Sequence, residues 1–170
     1  AAGLPAAEIA RTLSQQRPIS LMRPNLRPWR GVFRLDAMIA YLRTLLPPTF
    51  ADLPRPLAVG VIDTDGAHRL LHAGPLPEAV AASCAMPWVF EAVLVGEKRF
   101  QDGGTSDRLG VDPWRRWRPG RDAIAHQVRR TAGRDVDTDL SGVTLVETPR
   151  SGANFVSLGD FGGQTAEARS

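Results

Sequence analysis

The sequence predicts an α/β domain, and three observations carry that prediction. Helical and strand patterns interleave along the chain in the order α, α, β, β, α, β, β, α, β, as in layered α/β folds. Residues 57–62, Leu-Ala-Val-Gly-Val-Ile, form a nearly continuous apolar run of strand length, which suits a strand buried on both faces of a sheet. The 170 residues are 43% hydrophobic with a net charge of +3, enough for a packed core and far from the composition of a disordered chain.

The first helix is expected over residues 4–16, where Pro5 sits early and Glu8 places a negative charge in the first turn. Residues 17–31 contain Pro18, Pro24, Pro28 and Gly31 and read as a loop. A second helix begins near Asp36. Leu35, Met38, Ile39, Leu42, Leu45 and Leu46 share one of its faces at helical spacing, and Pro47-Pro48 stops it. That face packs on the body of the domain; a lipid-facing lid is the alternative. After the 57–62 strand, Asp63-Thr64-Asp65-Gly66 is a turn, and residues 69–72 return as a short strand. An EF-hand at Asp63 and Asp65 fails, because the further acids at loop spacing are missing.

Residues 77–85 read as a helix of small residues that permits close backbone packing, ended by Met86-Pro87-Trp88. Residues 92–95 and 98–101 flank Gly96-Glu97 as a hairpin, and Asp102-Gly103-Gly104 follows at once. Residues 105–120 read as irregular and residues 122–130 as a short helix capped by Gly133. Residues 143–146 form another strand, and Gln164 opens a helix that the chain does not finish.

Composition narrows the chemistry. No apolar run reaches the ~18 residues of a membrane-spanning helix. One Cys excludes an internal disulfide and a Cys-based zinc site, and three His leave little for any metal. Only Lys98 among the 21 basic residues is not Arg, and a net +3 is weak support for nucleic-acid binding. The one basic concentration is residues 114–121, Trp-Arg-Arg-Trp-Arg-Pro-Gly-Arg. It admits three readings: contact with anionic lipid headgroups, stacking on single-stranded nucleic acid, or indoles packed on the body with guanidiniums in water.

Asp102 is the principal candidate site residue. It ends a strand, where α/β sheets place their ligands, and two glycines let the backbone turn and a substrate approach. A carboxylate there can serve as a general base; the plain alternative is that Asp-Gly-Gly is only a turn. His68 and His72 could face one side of a strand, but no cluster of ligands accompanies them, and His126 reads in the same way. Cys84 reads as a small buried hydrophobe without a His partner. Asp160-Phe161-Gly162 copies a kinase tripeptide without the rest of that machinery.

The context of Asp102 carries a family pattern. Ala82-Ser83-Cys84-Ala85-Met86-Pro87-Trp88-Val89-Phe90 precedes the hairpin, and Phe100-Gln101-Asp102-Gly103-Gly104 closes it. Gly74-Pro75-Leu76 through Ala82 looks like the lead-in to that block, and residues 1–9 look like the segment after a nucleophile helix. Together these resemble the patatin-like phospholipase family, over nearly the whole chain and most specifically over residues 74–111. The resemblance implies a three-layer fold with a mostly parallel sheet between helices, incomplete at both ends.

It also implies a lipid or ester substrate, hydrolysed by a Ser–Asp dyad without histidine, metal or cofactor. Transient contact with a membrane surface is the partner it suggests, and nucleic acid is not expected. Residue by residue, only Asp102 carries over as a catalytic group, with Gly103 and Gly104 as its motif glycines. No G-x-S-x-G turn and no Gly-rich oxyanion loop occur in the sequence. The family order places both upstream of residue 1, so the chain is expected to be a fragment that supplies the Asp and lacks the Ser. Ser83 reads as structural. Gly110 stands where the family commonly has Pro, and Arg108 where it has Asn or a small residue; both are expected beside the site.

A binding module, with residues 114–121 contacting anionic lipid or nucleic acid, is the competing class.

Overall fold

The computed structural model describes residues 18–128 and 139–149, together with Gly3, Pro5, Glu8 and Arg11. Apart from Pro5, Glu8 and Arg11, the helix expected over residues 4–16 lies outside the described residues, as do Gly133, Asp160-Phe161-Gly162 and the helix expected from Gln164.

The proline-rich stretch is shaped by two short 3₁₀ turns, Pro18–Leu21 and Pro28–Arg30, and by β1 (Arg23–Pro24), which pairs with β2 (Phe33–Arg34). Helix α1 (Asp36–Leu45) follows, with Asp36 in its first turn and Arg43 in its last, both favourable to the helix dipole. Met38, Ile39, Leu42 and Leu46 pack against the core, so the apolar face of α1 lies on the body and is not a lid.

Strand β3 (Val59–Asp63) turns at Asp65-Gly66 into β4 (His68–Leu71). The Asp63 carboxylate shapes that turn by accepting from the Asp65 and Ala67 amides at 3.0 Å each. Arg69 also donates to it and holds it below the usual carboxylate range. Helix α2 (Leu76–Ala82) comes next, then β5 (Val93–Val95) and β6 (Lys98–Asp102). Ala79, Ala81 and Ala82 are wholly buried, and their small side chains let α2 lie close on the sheet. Leu76, Val61, Phe50, Phe90, Val93, Val95 and Phe100 complete the core around them.

The four strands lie in the order β4-β3-β6-β5, and every neighbouring pair is antiparallel. This corrects the expectation of a mostly parallel sheet for the described residues. The β3–β4 and β5–β6 turns are too short for the crossover that parallel neighbours need. Nor is the 57–62 run buried on both faces. Val61 is fully buried, while Val59, Gly60, Ile62 and Asp63 are half-buried toward open clefts.

Two further expectations are corrected downstream. Residues 105–120 are not irregular throughout, since α3 (Val111–Trp117) occupies their centre. Gly110 starts α3 with φ +62°, a left-handed conformation that glycine adopts without cost. Residues 123–128 are not helical but form β7 (Ala123–Val128), parallel to β8 (Val143–Thr148). A short run with Ile124 and Val128 at its ends cannot be told from a helix by periodicity alone, and the distant partner strand decides it. His126 therefore stands on a strand, its Nε2 2.9 Å from Thr148 Oγ1.

Candidate active site

Asp102 is the last residue of β6, opposite Val61 of β3. Its amide donates to the Ala85 carbonyl at 2.9 Å, which ties it to the segment after α2. The chain then turns through a 3₁₀ turn, Gly103–Thr105. Asp102 caps it: Oδ1 accepts from the Gly104 amide at 2.8 Å, and the Thr105 hydroxyl donates to the Asp102 carbonyl at 2.8 Å. The Gly103 carbonyl accepts from the Ser106 and Asp107 amides at 3.0 and 2.9 Å.

Both motif glycines have a steric reason. A Cβ on Gly103 would stand 2.5 Å from the Gly60 carbonyl carbon and 2.6 Å from the Val61 nitrogen, so only glycine lets β6 turn against β3. A Cβ on Gly104 would press on Asp102 Oδ1 at 3.1 Å. Gly103 therefore serves the fold, and Gly104 leaves room for the carboxylate.

Asp102 lines an open cleft of about 660 Å³, together with Gly60, His68, Ser83, Asp107, Arg108, Trp114 and Asp122. One carboxylate oxygen is fixed by Gly104, and the other takes no hydrogen bond from the described residues. A carboxylate so held can accept a proton from a hydroxyl brought into the cleft. Ser83 is not that hydroxyl, because its Oγ donates to the Val80 carbonyl at 2.8 Å as it caps the end of α2. Cys84 is exposed rather than buried as expected. Protein packed around its thiol pushes its pKa up, the Ser83 hydrogen bond pulls it back in part, and the Asp102 carboxylate adds to the rise. A thiol kept protonated is a poor nucleophile.

Sequence reasoning weighed His68 and His72 together and only as metal ligands; the structure brings His68 into this cleft while His72 goes elsewhere. The His68 ring lies over Gly60, its Nε2 3.0 Å from where a Cβ would stand, and its Nδ1 is buried without a hydrogen-bond partner. Burial lowers the His68 pKa; Asp107 opposes that and Arg116 reinforces it. The only sequence signal was the missing side chain at Gly60, one strand away. His72 stacks on Trp117 with centroids 5.5 Å apart. Among the described residues no cluster of His, Cys, Asp or Glu suited to a metal occurs.

The two departures beside the site are also placed. Gly110 needs its φ of +62°, which a proline ring could not adopt. Its amide donates to Asp107 Oδ1 at 2.8 Å. Arg108 reaches across the cleft to the Val128 carbonyl at 2.9 Å, so β7 forms one wall. Residues 114–121 divide: Trp114, Arg115, Trp117 and Arg118 are half-buried, while Arg116 and Arg121 are exposed. Trp114 and Trp117 line the cleft, Arg118 covers Trp117 at 4.3 Å, and Arg115 donates to the Ser141 carbonyl at 2.6 Å.

Comparison with known proteins adds one finding. No curated protein matches the chain. A family model described as patatin-like phospholipase matches residues 7–114, well over half of the sequence. That match runs through α1, the antiparallel sheet, the Asp-Gly-Gly turn and into α3, and by it the chain belongs to the patatin-like phospholipase family.

Proposed function

We propose that this chain is the Asp-bearing portion of a lipid acyl hydrolase, with Asp102 as general base to a serine carried on a segment upstream of Ala1. The observation that carries this reading is the Asp102 carboxylate, fixed by the Gly104 amide at 2.8 Å in an open cleft. The serine hydroxyl gives its proton to Asp102 as its oxygen attacks the ester carbonyl. Asp102 returns that proton to the leaving alcohol or lyso-lipid, and water then releases the fatty acid by the same exchange. The three-layer arrangement of the family, with helices on both faces of a larger sheet, belongs to this proposal. So does the absence of a metal or cofactor.

The test is hydrolysis of p-nitrophenyl esters by this chain and by a longer chain carrying the upstream segment. The longer chain is expected to turn over and this one is not. Robust turnover by residues 1–170 alone would remove the upstream serine from the account. A binding module through residues 114–121 is the second reading; it predicts that Trp fluorescence changes on mixing with anionic vesicles or single-stranded DNA, whereas the hydrolase reading does not require it.

A further inference from the structure

The Asp102 cleft carries polar groups that one proton transfer does not use. His68, on β4, is the first. Gly60 makes room for its ring, whose Nε2 stands 3.0 Å from where a Cβ on Gly60 would lie. Nδ1 is buried without a partner, whereas Nε2 is open and takes part in no hydrogen bond among the described residues. A buried N–H without an acceptor is rarer than a buried acceptor without a donor, so the proton of the neutral ring belongs on Nε2. Burial lowers the His68 pKa and keeps the ring neutral at pH 7. The result is an uncharged donor facing the cleft.

Trp114, on α3, is the second donor. It is half-buried in the lining, and its indole N–H has no acceptor among the described residues. Acceptors stand beside these donors. Asp107 Oδ1 accepts from the Leu109 and Gly110 amides at 3.2 and 2.8 Å, which leaves Oδ2 without a donor among the described residues. The Asp122 carboxylate is exposed, one residue before β7, and has no hydrogen bond or ion pair among the described residues. The charges run in both signs. Asp102, Asp107 and Asp122 line the cleft, against Arg108 as the one lining cation among the described residues. Arg108 is engaged with the Val128 carbonyl at 2.9 Å, and Arg116 influences His68 from an exposed position outside the lining.

A ligand matched to this lining must both donate and accept. A phosphate at neutral pH chiefly accepts, and two carboxylates besides Asp102 oppose it. An ammonium only donates; it would satisfy the carboxylates and leave the His68 and Trp114 donors unmatched. A hydroxyl does both. We infer that the cleft binds an uncharged polyhydroxyl headgroup, glycerol or a sugar, as the alcohol portion of the ester. That the headgroup belongs to an ester rests on the hydrolase reading; the preference for hydroxyls rests on His68, Trp114, Asp107 and Asp122.

Binding can be read without turnover, using analogues that carry no ester. 1-O-octylglycerol, octyl glucoside, octyl phosphate and octylamine share one chain and differ in the head. Calorimetric titration below micelle-forming concentrations, on residues 1–170 and on the longer chain with the upstream segment, should rank the first two above the others. His68→Phe should weaken octylglycerol binding about fivefold, the worth of one hydrogen bond. His68→Gln, which keeps an N–H, should weaken it less. Asp122→Lys, at an exposed position that folding tolerates, should weaken octylglycerol and strengthen octyl phosphate. Tighter binding of octyl phosphate or octylamine than of octylglycerol to both chains would overturn the inference. So would the lack of saturable octylglycerol binding to the longer chain, or an equal loss for all four analogues in His68→Phe. The expected ranking in a longer chain that hydrolyses no ester would uphold the headgroup site and sink the hydrolase reading alone.

Discussion

Replacing Gly103 by alanine asks the most of the backbone. The new methyl would stand 2.5 Å from the Gly60 carbonyl carbon, 2.6 Å from the Val61 nitrogen and 2.8 Å from the Gly60 oxygen. Carbon contacts settle near ~3.5–4.0 Å, so β6 and β3 must part by about 1 Å. All three neighbours are backbone atoms, and no side chain can swing aside. Overpacking of this kind costs about 1–3 kcal/mol, and a hydrogen bond lost from the β3–β6 ladder adds about 1 kcal/mol. A total near 3 kcal/mol lowers the Tm of a chain this long by about 6–12 °C. Gly104→Ala is the control. Its methyl meets only Asp102 Oδ1, at 3.1 Å, so the carboxylate turns and the fold holds. Thermal unfolding followed by circular dichroism reads both variants. A Gly103→Ala protein within about 1 kcal/mol of the parent would refute the close-approach reasoning.

Gly110→Ala isolates backbone strain, since nothing lies within 4 Å of the added Cβ and only the φ of +62° resists it. It should cost about 1–2 kcal/mol, read as a fall in Tm. His68 makes stability depend on pH. Burial lowers its pKa from 6.5, so above that pH it is neutral in both the folded and the unfolded chain. As pH falls through 6.5 the unfolded chain takes up the proton first, and stability falls until the folded pKa is passed. Tm measured between neutral and mildly acidic pH should show this slope, and His68→Gln should flatten it. An identical slope in the variant would return His68 to the background.

What could be read from the residues depended on how local the signal was. The apolar stripe of α1, the turn at Asp65-Gly66 and the hairpin at Gly96 are local, and each stands where periodicity placed it. Asp102 at a strand end with two glycines behind it was equally local, and the backbone contacts at Gly103 now explain why the first of them cannot be substituted freely. Strand β7 was not legible, because its identity comes from pairing with β8, across a gap that periodicity cannot span. The mostly parallel sheet was expected from the family resemblance; within the described four strands the short β3–β4 and β5–β6 turns make those neighbours antiparallel instead. Trp88 gave no sequence signal of its exposure, which follows from its φ and from the loop that docks beside it. The basic aromatic stretch at residues 114–121 drew attention instead; within it Trp117 is sandwiched between His72 and Arg118, while Arg116 and Arg121 are exposed.

The central claim is that Asp102 takes the proton of a serine nucleophile, and Asp102→Asn tests it most directly. An amide keeps the size of the carboxylate, and its oxygen can still accept from the Gly104 amide, as Oδ1 does at 2.8 Å. Thermal stability should therefore persist while the base is lost. In the protein that carries the upstream segment, kcat for a p-nitrophenyl ester should fall by about 10²–10⁴, the usual contribution of a positioned general base. Hydrolysis within about twofold of the parent, with the fold intact, would contradict the assignment, because that is far below what loss of a general base costs.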